Sequence, residues 1–352
     1  MAAVQPSTDI DAAILDAWEL VPGSLQPLGS GLINRTFLAQ QADGSRWVLQ
    51  QLNPMFPPEV HEDIEAVTAY LAASGLPTPR LLRTRDGQLC IPAPGGAWRV
   101  MDFIPGKVVD AIETPAQAAA AGRLLARFHR ALDGLDYEFR HRRPPVHEPA
   151  RHFAALQSAL AAHPAHRLRP AAAALAEQIF AGAAAMPQLP DTPPRIVHGD
   201  PKISNLVFAD GDGEGLCLVD LDTLGRMALP FELGDAMRSW CSVSGEDDPG
   251  GRFCAERFAA AVSGYAGVAR GWWTAAEQAS VLAATAVIQL ELAARFCADA
   301  LNESYFGWNA SLFASRGDHN LARAQGQLAL HRSLLAQQGL LERALERVRG
   351  PA

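Results

Sequence analysis

Up to about residue 105 the chain reads as short runs of alternating apolar and polar residues broken by turn residues. Beyond that point, apolar positions recur every three or four residues over long stretches. Residues 36–41 and 46–52 flank Ala42-Asp43-Gly44-Ser45, a hairpin pattern. Between Pro58 and Ser74, Val60, Ile64, Val67 and Leu71 fall on one helical face, and Gly75-Leu76-Pro77 stops the helix. Asp86-Gly87 turns a second short hairpin, and 98–104 forms a last strand before Pro105-Gly106. From Thr114 onward the text is rich in Ala and Leu. It predicts helices over 118–132, 151–162 and 169–185, and again at about 232–242, 252–268, 274–299 and 318–348. Short β runs at 195–197, 205–208 and 215–221 interrupt the helices. The pattern predicts an α+β protein in two parts: residues 1–105, strands plus one helix, and residues 106–352, mostly helical.

The bulk numbers narrow this further. A length of 352 residues exceeds one simple core and agrees with two lobes. Hydrophobic content of 49% with 19% charge describes a globular chain. Thirty basic against thirty-eight acidic residues give a net charge of −8, with no Lys/Arg stripe, which excludes a nucleic-acid partner as an expectation. Five scattered cysteines with no Cys-x-x-Cys pair read as reduced thiols. The N-terminus lacks the basic and apolar regions of a secretory signal. The most apolar stretch, Val281 to Phe296, is interrupted by Gln289 and Glu291 and is expected to fall short of a membrane span. The expectation is a soluble cytoplasmic protein with no membrane partner.

Candidate chemistry concentrates in Ile196-Val-His-Gly-Asp200-Pro-Lys-Ile-Ser-Asn205, followed fifteen residues later by Asp220-Leu-Asp222. An Asp, an Asn five residues on and an Asp ending an apolar run make the polar skeleton of a phosphoryl-transfer site. Asp200 is expected to accept or orient the acceptor's hydroxyl proton, and Asn205 and Asp220 to hold Mg²⁺ beside ATP. In isolation Gly199-Asp200-Pro201 is an ordinary turn; Asn205 and Asp220 at their spacings change that reading. If 218–222 stays extended, Asp222 shares a face with Asp220 and can reach the metal or the acceptor; otherwise it starts the next turn. Asp235 is placed at a helix start, where it can cap free N–H groups, pair with Arg238 or brace the loop, while Arg238 can also face the acceptor.

In the first part, Gly29, Ser30 and Gly31, with Asn34 just after them, form a glycine turn suited to covering phosphates. Gln50 stands where a kinase carries the Lys that pairs with the phosphates, and Glu65 is the counterpart of that lysine's helix partner. Met101, Asp102 and Phe103 join the two parts as an extended segment whose backbone can read an adenine edge.

These motifs resemble the aminoglycoside phosphotransferase/choline kinase superfamily, whose loop reads His-Gly-Asp-x-x-x-x-Asn. Gly29–Phe37, Val48–Asn53, Trp98–Ile104, Val219–Thr223 and Leu233–Arg238 together resemble its N-acetylhexosamine 1-kinase branch. The resemblance implies a bilobal protein-kinase-like fold and ATP/Mg²⁺-dependent transfer to the anomeric hydroxyl of GlcNAc or GalNAc. It makes a non-Lys residue at Gln50 ordinary, and it implies that Arg295 and the aromatic Tyr305 contact the sugar. Read from the residues alone, Arg295 either pairs with Glu291 or faces the acceptor, and Tyr305 and Trp308 either stack on a sugar or belong to the core. Two alternatives stand beside the sugar kinase. One is an aminoglycoside or amino-alcohol phosphotransferase, for which Glu246-Asp247-Asp248 offers carboxylates; the other is a nucleotide-binding pseudokinase.

Overall fold

The computed structural model describes residues 10–29, 34–141, 146–211 and 213–349. The chain forms two compact units, and the smaller takes in Met1–Pro105 together with Gly134–Arg143 and Val219–Leu224.

In the smaller unit, α1 (Ala12–Ala17) precedes β1 (Gln26–Pro27), β2 (Arg35–Gln40), β3 (Arg46–Gln51), α2 (Val60–Ala73), β4 (Leu81–Leu82) and β5 (Trp98–Asp102). The strands make one antiparallel sheet in the order β1-β2-β3-β5-β4. Period-two alternation sends Phe37, Ala39, Leu49, Trp98 and Val100 to one face, where α1 adds Ile14 and Leu15 and the chain after it adds Trp18 and Leu20. The six-residue α1 carries too short a period to be legible in sequence; Asp11 starts it by accepting from the Ala13 N–H. The expected apolar face of α2 is buried as the spacing requires, at Val60, Ile64, Val67 and Leu71. On the same helix the buried Asp63 accepts from Tyr137 Oη (2.8 Å) and from the N–H groups of Arg140 (2.7 Å) and His141 (2.9 Å), tying that later segment to α2.

The larger unit runs β6 (Lys107–Val108), α3 (Pro115–Leu132), α4 (Pro149–Ala162), α5 (Arg169–Ala185), β7 (Pro194–Val197), β8 (Leu206–Phe208), β9 (Gly215–Leu218), β10 (Gly225–Ala228), α6 (Leu229–Trp240), α7 (Ala255–Ala269), α8 (Ala275–Asn302), α9 (Arg316–Leu335) and α10 (Gln338–Val348). β6, β8 and β9 form a three-stranded antiparallel ribbon and β7 pairs with β10. The continuous helix expected over 318–348 is two helices, broken at Ala336-Gln337.

α8 is the hub, packed against α4, α5, α6 and α9. Thr274 and Glu277 form a capping box at its start, and Glu277 also accepts from Arg195 Nε at 2.7 Å. Contrary to the sequence expectation, α8 is long and apolar enough to cross a membrane, but 78% of its most apolar window is buried against the other helices. Gln289 and Glu291 lie inside this packing too.

α3 and α7 cross with their backbones nearly touching. A Cβ on Gly122 would sit 2.1 Å from the Ala261 carbonyl oxygen, and one on Gly264 would sit 2.1 Å from that of Ala119. Both neighbours are backbone atoms that cannot rotate away, so Gly122→Ala should destabilise the larger unit by about 1–3 kcal/mol through overpacking. Urea unfolding of the two single alanine variants checks this; an unchanged midpoint would contradict the close crossing.

Candidate active site

The larger unit carries the His198–Asn205 loop. β7 delivers the chain to His198, and Gly199 then turns at φ +85°, a conformation that favours glycine. The loop is held by α6. Glu232, fully buried, accepts from the His198 N–H at Oε1 and the Gly199 N–H at Oε2, both at 2.9 Å. About two turns along, the Ser239 hydroxyl accepts from the Ile203 N–H (3.0 Å) and Trp240 Nε1 donates to the Pro201 carbonyl (2.9 Å). Asn205 closes the loop: its Nδ2 donates to the Asp200 carbonyl at 2.9 Å and lies 3.4 Å from Asp200 Oδ2. Asp200 and Asn205 are thus brought together.

Lys202 Nζ stands 2.7 Å from Asp200 Oδ2. Burial works to raise the Asp200 carboxyl, but Lys202, His198 and Arg238 outweigh it and hold the pKa below the ordinary value. The group is therefore ionised at neutral pH, the form a proton acceptor needs.

α6 begins at Leu229, with Pro230 in its first turn, so Asp235 lies in the helix interior and caps nothing, contrary to expectation. Its Oδ1 accepts from Arg238 Nε at 2.7 Å, and its Oδ2 is 4.0 Å from His147 Nε2. His147 donates from Nδ1 to Glu291 at 3.0 Å. Burial disfavours the imidazolium there, but Glu291 and Asp235 more than compensate and raise its pKa. Arg238 also faces Glu246 at 3.5 Å. Of the two readings of Arg295, the i,i+4 pair with Glu291 does not form; Arg295 lies over the Phe306 ring at 5.6 Å, and the exposed Tyr305 ring meets Phe306 edge-on. Arg295 and Tyr305 are thus brought to one aromatic ring, and Tyr305 is not core.

The smaller unit holds the other candidates. The β run expected over 215–221 stops at Leu218, and Asp220 is left-handed (φ 63°, ψ 55°), opening a 3₁₀ turn at Leu221–Thr223. The extended spacing that would put Asp220 and Asp222 on one face is therefore not present. A non-glycine residue in this region costs about 1–2 kcal/mol, which the surrounding contacts must offset. Asp222 is buried and bonded to Arg99 through both oxygens, Nη1 to Oδ1 at 2.5 Å and Nη2 to Oδ2 at 3.0 Å, with Asn34 Nδ2 at 3.3 Å from Oδ2. Asn34 also accepts from the Asn53 N–H at 2.9 Å. Gln50 accepts from Arg99 Nε at 3.0 Å and donates to Thr36 Oγ1 at 2.9 Å. Glu65 is bonded to Arg83 on the surface and makes no ion pair toward Gln50's strand. Gly29 has φ +78°, while Ser30 and Gly31 lie outside the described residues. Met101 pairs with Leu81, Asp102 exchanges hydrogen bonds with the Arg80 backbone, and the Phe103 ring carries the Arg46 guanidinium at 4.5 Å.

Sequence reading missed Glu232, Lys202 and Arg99. Lys202 sits inside the quoted loop motif and was legible there; Glu232 and Arg99 act on residues far along the chain, and only an unpaired charge in apolar text hints at them.

A family model described as the phosphotransferase enzyme family matches residues 24–272, and the chain belongs to that family. A homoserine kinase of Rhodopseudomonas palustris is 27% identical over 228 residues, 62% of this chain, and the match spans 64% of that relative's length. Among solved structures, an amicoumacin kinase in complex with AMP-PNP and Ca²⁺ superposes with a TM-score of 0.62 at 15% identity, covering 91% of this chain and 93% of its own. An aminoglycoside phosphotransferase from Alicyclobacillus acidocaldarius gives 0.60 at 14% identity, covering 96% of both chains. A microcompartment-associated aminopropanol kinase gives 0.60 at 17% identity, covering 93% of this chain and 97% of its own. The fold is thus the protein-kinase-like one shared by these phosphotransferases.

Two outcomes follow. Lys202→Met removes the strongest influence holding the Asp200 pKa down, so the acid limb of the rate profile should move up by about one pH unit or more; an unmoved limb would dissociate Lys202 from the ionisation of Asp200. Glu232→Ala strips two buried N–H groups of their acceptor and should cost about 2–5 kcal/mol in denaturant unfolding together with most of the turnover.

Proposed function

We propose that the protein is an ATP- and Mg²⁺-dependent kinase that phosphorylates the anomeric hydroxyl of an N-acetylhexosamine (GlcNAc or GalNAc) or a closely related sugar. The observation carrying the kinase reading is the Asp200–Asn205 loop: an ionised carboxylate and an amide locked to each other and fixed by α6. Asp200 orients the acceptor hydroxyl and takes its proton as the bond to phosphorus forms. Asn205 and Asp220 are the metal ligands in this reading. The donor set suits Mg²⁺: the Asn205 nitrogen is spent on the Asp200 carbonyl, which leaves its amide oxygen for a cation, and Asp220 adds a carboxylate. Among the described residues no group of three or more His, Cys, Asp or Glu gathers into a transition-metal cage. Bound Mg²⁺ supplies neutralisation of phosphate charge. In this reading Gly29, Asn34 and Gln50 serve the phosphates, with Ser30 and Gly31 assigned the same role from the sequence alone, and Met101, Asp102 and Phe103 serve the adenine.

A neutral acceptor fits the charge distribution better than a polycationic one. The acidic run that an aminoglycoside would need is already engaged: Glu246 faces Arg238, Asp247 accepts from Arg323 (2.7 Å) and pairs with His319, and Asp248 accepts from the Gly250 N–H. Arg238, Asp235, Arg295 and Tyr305 are the acceptor contacts in this reading. A small amino alcohol is the second reading, favoured by the homoserine kinase relative. Either way the partner is a small molecule met in the cytoplasm, with no nucleic acid or membrane.

Purified protein with Mg²⁺ and ATP should release ADP with GlcNAc or GalNAc at least tenfold above the acceptor-free rate, and ³¹P NMR should show phosphate coupled to the anomeric proton. Asp200→Ala should lower that rate by about 10²–10⁴-fold. Release with homoserine or aminopropanol alone would install the second reading, and silence across the panel would leave the pseudokinase.

A further inference from the structure

The cation that a kinase carries on its third strand is missing at Gln50, and the sheet register brings another to that place. The cross-strand neighbour of Gln50 is Arg99, on β5. Its guanidinium is only 2% exposed and gives Nε to Gln50 and a two-pronged grip to Asp222. The anion has changed place as well. Glu65, the helix carboxylate expected to partner a strand lysine, is committed to Arg83 at the surface. His61, buried nearby, does not share the charge: burial and the Arg99 cation lower its pKa to about 4, so it is neutral.

Asp222 sits two residues after Asp220, inside the 3₁₀ turn that the left-handed Asp220 opens. A planar fork on both oxygens of Asp222 fixes the turn in position and rotation, which one hydrogen bond cannot do. Asn34 holds the same carboxylate from the chain just before β2. With both oxygens so engaged, Asp222 is committed to Arg99.

We propose that Arg99, acting through Asp222, is the positioning residue that fixes Asp220 for its divalent cation, and that this buried pair replaces the strand-lysine and helix-glutamate pair that Gln50 and Glu65 do not make. The inference rests on the reading of Asp220 as a metal ligand, and its test separates the two.

The Mg²⁺ concentration that half-saturates binding of a non-hydrolysable ATP analogue is measured by calorimetry on the full chain, alongside the affinity for the same analogue without metal. Arg99→Met leaves a lone buried carboxylate, so the informative variants are Arg99→Met/Asp222→Asn, which keeps the interior neutral, and Arg99→Lys, which keeps the charge and loses the fork. Both should raise the Mg²⁺ requirement by about 10–100-fold, the usual effect of removing a group that orients a metal ligand, with metal-free affinity unchanged. Asp220→Asn gives the full loss for comparison. If Asp220→Asn shifts the requirement and neither Arg99 variant does, the inference falls and the kinase reading stands. An equal loss of metal-free affinity in the Arg99 variants would make Arg99 a direct phosphate ligand and overturn the positioning role. If Asp220→Asn itself changes nothing, the metal assignment fails first and takes the inference with it.

Discussion

The backbone N–H groups of His198 and Gly199 end on the two oxygens of one buried carboxylate, Glu232, and the position of Asp200 follows from that exchange. Each side needs the other. A carboxylate with no solvent exposure is costly without donors, and a tight turn buried at His198 is costly without acceptors. Since α6 also reaches the loop through Ser239 and Trp240, its rotational setting decides where the loop lies. That setting is fixed in turn by α8: at Gly234 the two helices approach so closely that a Cβ would stand 2.9 Å from the Ala284 backbone. Helix packing, loop conformation and the charge on Asp200 thus form one series of constraints.

The smaller unit solves a similar problem by similar means. Asp220 adopts a backbone conformation that few side chains accept, and a buried charge from a neighbouring strand, Arg99, holds the turn through Asp222. In both units the residue assigned chemistry sits on a short irregular segment, and a buried group of opposite or complementary polarity on a regular element keeps it there. Regular elements hold position better than loops do, so the precision is borrowed from them.

Much of this was legible in the amino acids, and the failures are specific. The face of α2, the hairpin joining β2 to β3 and the loop motif follow from spacing alone, because each is a local pattern. Pro230 marks the true start of α6 ahead of the expected one, which removes the capping option for Asp235 and leaves its pairing with Arg238. Asp222 has two readings in sequence, an extended strand or the start of the next turn, and the structure takes the turn; spacing cannot choose between them because β propensity says nothing of a single left-handed residue. Arg99 was invisible for a deeper reason. Its partners are a strand neighbour 49 positions away and a carboxylate 123 positions away, and no window along the chain joins them.

α8 has a further consequence during synthesis. It packs on α4, α5 and α6, which the ribosome makes first, but also on α9, which it makes afterwards. For the interval in which α9 is still unmade, the side of α8 that α9 will cover has no intramolecular partner. A nascent chain in that state presents a long greasy segment to whatever surveys emerging polypeptides, so the vulnerable moment in its synthesis falls between the making of α8 and that of α9.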